Sequence, residues 1–416
     1  MMLTRACAAA CMSLSIGAIA VAAREADAAA RRSPLEGYFS QRSSLPGRAA
    51  RLVVLSRGQQ LSVQLFRAGL TRQGALPTDR VLGGAAVAAA RTLAPRRGAR
   101  RRLTIWLSPT YPSGLYYARI KDRHGDFAVA PLVLRRPTAL HSRVAVVLPT
   151  NTWQAYNYRD DNGDGVPDSW YASPRVRSVA LNRPFVHHGV PPHYRAYDMA
   201  FQRWLVRGNH QPDFLADDDL AAITATQLAH RYDLIVFPGH EEYVTTRVYD
   251  LVERYRDGGG NLMFLSANNF FYRVTRSADR ITRAGRWRDL GRPEARWIGA
   301  QYLDWSRNLF PNAPFVVTGA HLAPWLFRGA GLTNGHRFGS YGIEVDARTP
   351  FSPPATVVLA RAPNIFGLGR SAEMTYHQTR AGARVFAAGA INFGGSALNP
   401  QVSAMLANLW RRLTRP

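Results

Sequence analysis

Tyr232-Asp233-Leu234-Ile235-Val236-Phe237-Pro238-Gly239-His240-Glu241-Glu242-Tyr243 is the stretch on which the fold turns. An apolar run enters a Pro-Gly turn. A helix-periodic segment follows, with Val244, Val248, Leu251, Val252 and Tyr255 on one face. Strand, tight turn and helix make the βα corner of an α/β sheet, and ligands collect at such corners, beyond the carboxyl ends of the strands. A histidine, two carboxylates and a phenol at one corner point to a metal or acid/base site.

Outward from this corner, residues 143–148 form a second continuous apolar run, as expected of a strand covered on both faces. Residues 199–206 read as a helix. Asp217, Asp218 or Asp219 can cap another that runs to about Arg231. Gly258-Gly259-Gly260 stops the helix after the corner, and residues 261–265 read as the next strand. Strand and helix alternate, so residues 143–416 are expected to form an α/β unit on a parallel sheet. Beyond Asn269 the pattern weakens. Strands are expected at 315–318, 355–360 and 383–388, and a helix at 402–413.

Residues 36–136 read differently. Short runs rich in β-formers, such as Leu61-Ser62-Val63-Gln64-Leu65-Phe66 and Gly114-Leu115-Tyr116-Tyr117-Ala118-Arg119-Ile120, are separated by Pro, Gly and Ser turns. That spacing suggests an immunoglobulin-like β-sandwich. It carries no recognisable chemistry, and a polar linker over residues 135–142 joins it to the α/β unit.

Composition sets the remaining bounds. Of 416 residues 46% are hydrophobic, ample for two domains. Arg5, the apolar stretch from Ala6 to Ala23 and the Ala26-Asp27-Ala28 site have the form of an export signal. Residues 1–28 are therefore expected to be a signal peptide and the protein secreted or periplasmic, with an uncleaved anchor helix as the competing reading. Both cysteines, Cys7 and Cys11, lie in that segment, which leaves the mature chain without disulfides or a thiolate metal site. No later apolar stretch reaches the ~18 residues a membrane span needs. A net charge of +25 raises the question of nucleic acid. Lys121 is the only lysine among 53 basic residues, which looks like coding bias, and the arginines are scattered. The one dense run, Arg96-Arg97-Gly98-Ala99-Arg100-Arg101-Arg102, reads as a solvated turn. No nucleic-acid partner is expected, although attraction to anionic surfaces follows from the charge.

Three loops follow the three strands of the α/β unit. The first is Asn151-Thr152-Trp153-Gln154-Ala155-Tyr156-Asn157, the second carries His240 and Glu242, and the third is Asn268-Asn269. A parallel sheet brings all three to one rim. Together with Leu181-Asn182-Arg183-Pro184-Phe185, Arg203-Trp204-Leu205 and Ser266-Ala267-Asn268-Asn269, these segments resemble the large (beta) subunit of N,N-dimethylformamidase. The likeness is to its carboxyl-terminal catalytic region, a glutamine-amidotransferase-like α/β domain, and runs from about Arg143 to the end.

The resemblance implies an iron-dependent amidohydrolase acting on a small formamide or related amide. It implies a mononuclear Fe(III) held by two tyrosines and a glutamate. Tyr156 matches the first tyrosine and Glu242 the carboxylate. Tyr197 is the choice for the second tyrosine, with Tyr194 as competitor. His240 and Asn268 match polar groups that handle water and substrate, and Glu373 matches a carboxylate that orients the histidine. Phenolate and carboxylate are hard oxygen donors suited to such an ion. A phenol with a pKa of about 10 must lose its proton to bind. The competing roles are structural: packing for any of 17 tyrosines, a helix-terminal carboxylate for Glu242, a hydrogen-bonding core histidine for His240. Glu241 is expected to be solvated and Tyr243 wedged against the sheet.

The chain departs from the family pattern between the two tyrosines. Asp160, Asn162, Asp164 and Asp168 fall at positions 1, 3, 5 and 9 of a calcium loop, with Gly165 at 6, but Tyr171 stands at 12 in place of the bidentate Glu. Either Ca2+ binds there with a ligand from elsewhere, or the segment is an acidic, solvated turn. His187-His188 and His193 offer zinc ligands only weakly, since neighbours on a strand point apart. The family works with a small partner subunit, so such a subunit or a homo-oligomer is a candidate assembly. The alternative to an enzyme is a ligand-binding relative with a calcium-stabilised loop.

Overall fold

The structure is a computed structural model that describes residues 35–70, 82–96, 100–137, 141–367 and 369–414. The expected leader with Cys7 and Cys11 lies outside the described residues, as do Arg97, Gly98 and Ala99 of the arginine-rich run. Among the described residues no helix is long and apolar enough to cross a membrane.

A nine-stranded sheet organises the α/β part. Its strands are β1 (Val144–Leu148), β2 (Asp213–Ala216), β3 (Leu234–Phe237), β4 (Asn261–Phe264), β5 (Ala313–Val317), β6 (Arg337–Tyr341), β7 (Val357–Ala362), β8 (Ala372–Gln378) and β9 (Arg384–Ala387). Their spatial order is β2-β1-β3-β4-β9-β8-β7-β5-β6. The first five in that order pair parallel, and β9-β8-β7-β5-β6 pair antiparallel. The fold is thus mixed α/β. Its parallel half is the half whose strands read as unbroken apolar runs, because both faces are covered. Val144, Val146 and Leu148 enter one apolar core, and Ala145 and Val147 enter the other. Helices α1 (Thr150–Ala155), α2 (Asp217–Ala222) and α3 (Thr246–Asp257) follow β1, β2 and the β3 corner.

Three local readings change. The helix expected to run from the aspartates to Arg231 breaks at Ile223, and a second helix, Ala225–Arg231, starts from Thr224. The Thr224 hydroxyl accepts from the Gln227 N–H, and the Gln227 side chain accepts from the Thr224 N–H, a reciprocal cap that starts a new helix. The helix after the corner is preceded by a short strand, Tyr243–Thr245, and capped by Thr245. Glu242 therefore precedes a short strand rather than standing at a helix N-terminus. In the arginine-rich run, Arg101 is buried in the strand Arg100–Trp106, where its guanidinium donates to the carbonyls of Ala94, Gly58 and Gln59.

The N-terminal part consists of two sheets. Leu35–Phe39, Ala49–Ser56 and Arg100–Trp106 form an antiparallel three-stranded sheet. Leu61–Ala68, Gly114–Asp122 and Phe127–Leu134 form the centre of a second, antiparallel apart from the parallel edge strand Ser43–Ser44. Leu52, Val54, Leu65, Tyr116, Ile120 and Leu132 share one core between them.

Candidate metal centre

The rim at the carboxyl ends of β1, β3 and β4 gathers the chemistry. Six-residue α1 ends on Tyr156, which swings the phenol back over the β3 corner. The Thr152 hydroxyl accepts the backbone N–H groups of both Glu242 (3.1 Å) and Tyr243 (3.2 Å), which locks α1 to that corner. Gly239 allows the turn to close, because a Cβ there would lie 2.2 Å from an Asp198 carboxylate oxygen. Asn268 follows β4 in the left-handed region at φ 54°, a conformation asparagine tolerates.

Tyr156 donates to Glu242 Oε2 at 2.8 Å. His240 Nε2 lies 3.4 Å from the same oxygen and 3.6 Å from Glu344 Oε2. Asn268 Nδ2 donates to Glu344 Oε2 at 2.7 Å, and its backbone N–H is held by Asp346 Oδ1 at 2.8 Å. Tyr156, Glu242, His240 and Asn268, singled out from sequence, are thus in one cluster. His240 and Glu242 are 5% and 2% exposed, so water is largely kept out.

Two other candidates stand differently. Tyr197 lines the same small cavity as Tyr156 and His240, with its ring stacked on His193 at 5.3 Å. Tyr194, its competitor, instead gives its hydroxyl to Gln202 at 3.1 Å. Glu373 lies apart. In register with Arg361 across β7 and β8, it pairs with that arginine at 3.0 Å and takes the Arg348 backbone N–H at 3.0 Å. The carboxylate beside the histidine is Glu344, which begins a short strand, Glu344–Ala347.

Tyr171 is the phenol that joins Tyr156 on Glu242. Its hydroxyl reaches Oε2 at 3.1 Å and Oε1 at 3.3 Å, and its ring stacks on Tyr156 at 4.2 Å. Tyr243 touches the Tyr171 hydroxyl at 2.6 Å. Glu241, expected in solvent, is 1% exposed and interacts with the buried Asp217.

Burial sets the electrostatics. It pushes the Glu242 carboxyl up to about 7, and burial with the neighbouring Glu242 charge pushes Glu344 up to about 8. Burial, then the carboxylates, hold the Tyr156 and Tyr171 phenols well above their ordinary value. Burial pushes His240 down to about 3, so the imidazole is neutral, and Nε2 has no hydrogen-bond partner.

A larger outer cavity shares Tyr156, Pro192 and His193 with the inner one and is walled by Tyr158, Val190 and Arg195. His187 also lines it, whereas His188 turns to the N-terminal part, its Nδ1 2.8 Å from the Phe127 carbonyl. The pair therefore offers no joint zinc site. In the acidic loop, Asp160 accepts the N–H groups of Gly163 (2.6 Å) and Gly165 (2.9 Å), Asp164 that of Val166 (2.8 Å), and Asp168 that of Asp161 (2.8 Å). Asn162 bridges to Asp164. Among the described residues no group of three or more His, Cys, Asp or Glu side chains is arranged to hold a metal.

Among solved structures, an uncharacterized protein from Bacillus anthracis is similar at 9% identity over 24% of this chain and 80% of its own, with a TM-score of 0.19. A sporulation control protein from Bacillus subtilis is similar at 10% identity over 25% of this chain and 49% of its own, TM-score 0.17. A cycloisomaltooligosaccharide glucanotransferase from Paenibacillus covers 85% of this chain and 68% of its own at 9% identity, TM-score 0.20. No curated protein matches. Over residues 100–403 the sequence matches the C-terminal region of the N,N-dimethylformamidase beta subunit-like proteins, and the chain belongs to that family.

Proposed function

We propose that this chain is a metal-dependent amidohydrolase that cleaves the C–N bond of a formamide or related small amide. The observation that carries the reading is the Tyr156 phenol on the buried Glu242 carboxylate at 2.8 Å, beside a neutral His240 with an unpartnered Nε2, in a chain of this family.

The donor set fits Fe(III). Phenols and carboxyls crowd into a dry pocket where burial opposes every anion, and a small, hard cation is what would favour ionising them together. Tyr156, Glu242 and a second phenol, Tyr197 by family likeness, would hold it. Bound there, the ion would supply Lewis-acid polarisation of the amide carbonyl and a more acidic water. His240 Nε2 would take a proton from that water and return it to the departing amine nitrogen. Glu344 Oε2, 3.6 Å from Nε2, would favour the imidazolium once its carboxyl, held up to about 8 by burial, is ionised. Asn268, held by Glu344 and Asp346, would orient the substrate.

Under this reading the N-terminal sheets are an immunoglobulin-like sandwich and the nine-stranded unit is glutamine-amidotransferase-like. The leader over residues 1–28 would export the protein. The description of the family as beta subunit-like supports assembly with a second polypeptide. The carboxylates of the acidic loop already serve its own backbone, so a calcium ion would have to displace those hydrogen bonds.

Metal analysis and visible spectra of the full chain expressed with iron test the proposal, together with hydrolysis of N,N-dimethylformamide and longer formamides. One iron per chain, a phenolate-to-iron colour and amine release are expected, all lost in Tyr156→Phe and Glu242→Gln. A colourless, iron-free wild type without activity would refute it.

A further inference from the structure

The segment between Tyr156 and Tyr171 leaves the site and comes back to it. Asp160, Asp164 and Asp168 tie its turns to its own backbone, and Ser169 Oγ donates to the Ala155 carbonyl at 2.8 Å. The position that would carry the last ligand of a calcium loop holds Tyr171, and its side chain points inward. The Tyr243 and Tyr171 hydroxyls share a hydrogen bond at 2.6 Å, and the Tyr171 hydroxyl lies within donating distance of both oxygens of Glu242. Tyr243 is fully buried and Tyr171 half-buried.

A carboxylate on a metal is free to rotate unless its other lone pairs are engaged. Tyr156 engages Glu242 only while it keeps its proton, and a phenolate ligand has none to donate. Tyr171 is then the phenol still donating to the carboxylate. Hydrogen bonds to charged acceptors are roughly twice as strong as neutral ones, and outer partners of a ligand control metal affinity.

We propose that Tyr171 is a positioning residue: it orients the Glu242 carboxylate for the metal, is steadied by Tyr243, and is delivered by the loop that interrupts the family pattern. This rests on the metal reading above. Removing the hydroxyl leaves the ligands in place and loosens one of them.

Fe(III), delivered as citrate to the full-length chain, is the probe, with chelator competition and the phenolate-to-iron band as readouts. Wild type is expected to bind and colour. Tyr171→Phe should stay coloured, bind iron about 10–100-fold more weakly, and show a shifted band. Tyr243→Phe should lose less, and should lose nothing further in the Tyr171→Phe background, because the two act in series. Unchanged affinity and band in Tyr171→Phe would overturn the proposal and leave the hydrolase reading standing. Complete loss of colour would also overturn it, since Tyr171 would then be a ligand. If Tyr171→Phe does not fold, Tyr243→Phe reads the same relay, and wild-type affinity there overturns it. A wild type that takes up no iron defeats both readings and is recognised in that arm alone.

Discussion

Asp198 shows how closely the rim is packed around ionisable groups. It is 1% exposed, its Oδ1 has no partner, and burial pushes its carboxyl up to about 8. The folded chain therefore keeps a proton that the unfolded chain releases near pH ~4. Between those values the folded state binds more protons, so its stability falls as pH rises and is fully present below pH ~4. Asp198→Asn removes this slope. In urea titrations of the metal-free protein we expect the variant to exceed wild type by a few kcal/mol at pH 8, by the linkage of pKa to stability, and to match it near pH ~4. An equal gap at both pH values would mean that packing, not ionisation, sets the difference. His377 runs the other way: burial pushes it down to about 4, so it costs stability as pH falls from about 6.5 towards 4. Tyr156, His240, Glu242 and Asn268 were legible in the sequence because each lies in a loop beyond an apolar strand and in a segment that resembles the family. Glu344 was not. It reaches His240 through the Ile391 N–H bond to its carbonyl and the bridge between Val345 and Ala390, pairings that no local pattern announces.

At the scale of elements, Arg183 holds α1 and the loop after it together. It is buried, and its guanidinium donates to the carbonyls of Gln154 (3.1 Å), Asn157 (3.0 Å), Arg159 (3.3 Å) and Asp168 (3.0 Å), and to the carboxylate of Asp161 (2.8 Å). Those acceptors lie on both strands of the loop whose ends are Tyr156 and Tyr171. Lysine cannot fork to so many acceptors in a plane. Arg183→Lys should cost about 3–5 kcal/mol, the penalty for stranding buried charge and carbonyls. It should weaken iron binding more than Tyr171→Phe does, since both phenols lose their mooring. Thermal melts and chelator competition check the two effects, and a stable variant with normal affinity would remove Arg183 from this role. The parallel strands were readable as apolar runs. Strands such as Arg337–Tyr341 were not, because an edge strand with exposed alternate residues has little apolar signal. The split after α2 was readable in principle: Thr224 followed by Gln227 is a capping-box spacing inside what looked like one helix.

The whole molecule depends on the seam between its β-sheets and its α/β part. The core that contains Val144, Phe201 and Phe214 also takes in Phe66, Leu115, Tyr117 and Val133 from the N-terminal sheets. Around it Arg42 pairs with Asp218, Arg159 with Glu36, Arg135 with Asp219 at 3.1 Å and Arg136 with Asp213 at 2.7 Å. Ser113 Oγ accepts the Phe214 N–H at 2.7 Å, so even the edge of β2 is tied across the seam. The polar run over residues 135–142 marks a linker between two domains, and the particular side chains that pack across the seam cannot be read from it. A segment of residues 143–416 alone would expose that apolar face and leave Asp213 and Asp219 without Arg136 and Arg135. We expect the full chain to unfold in one calorimetric transition and the 143–416 segment to aggregate or melt without cooperativity, since exposed apolar patches of this kind drive association. A segment that melted sharply at the temperature of the full chain would show that the α/β part holds its rim, and the phenol–carboxylate cluster on it, without the sheets.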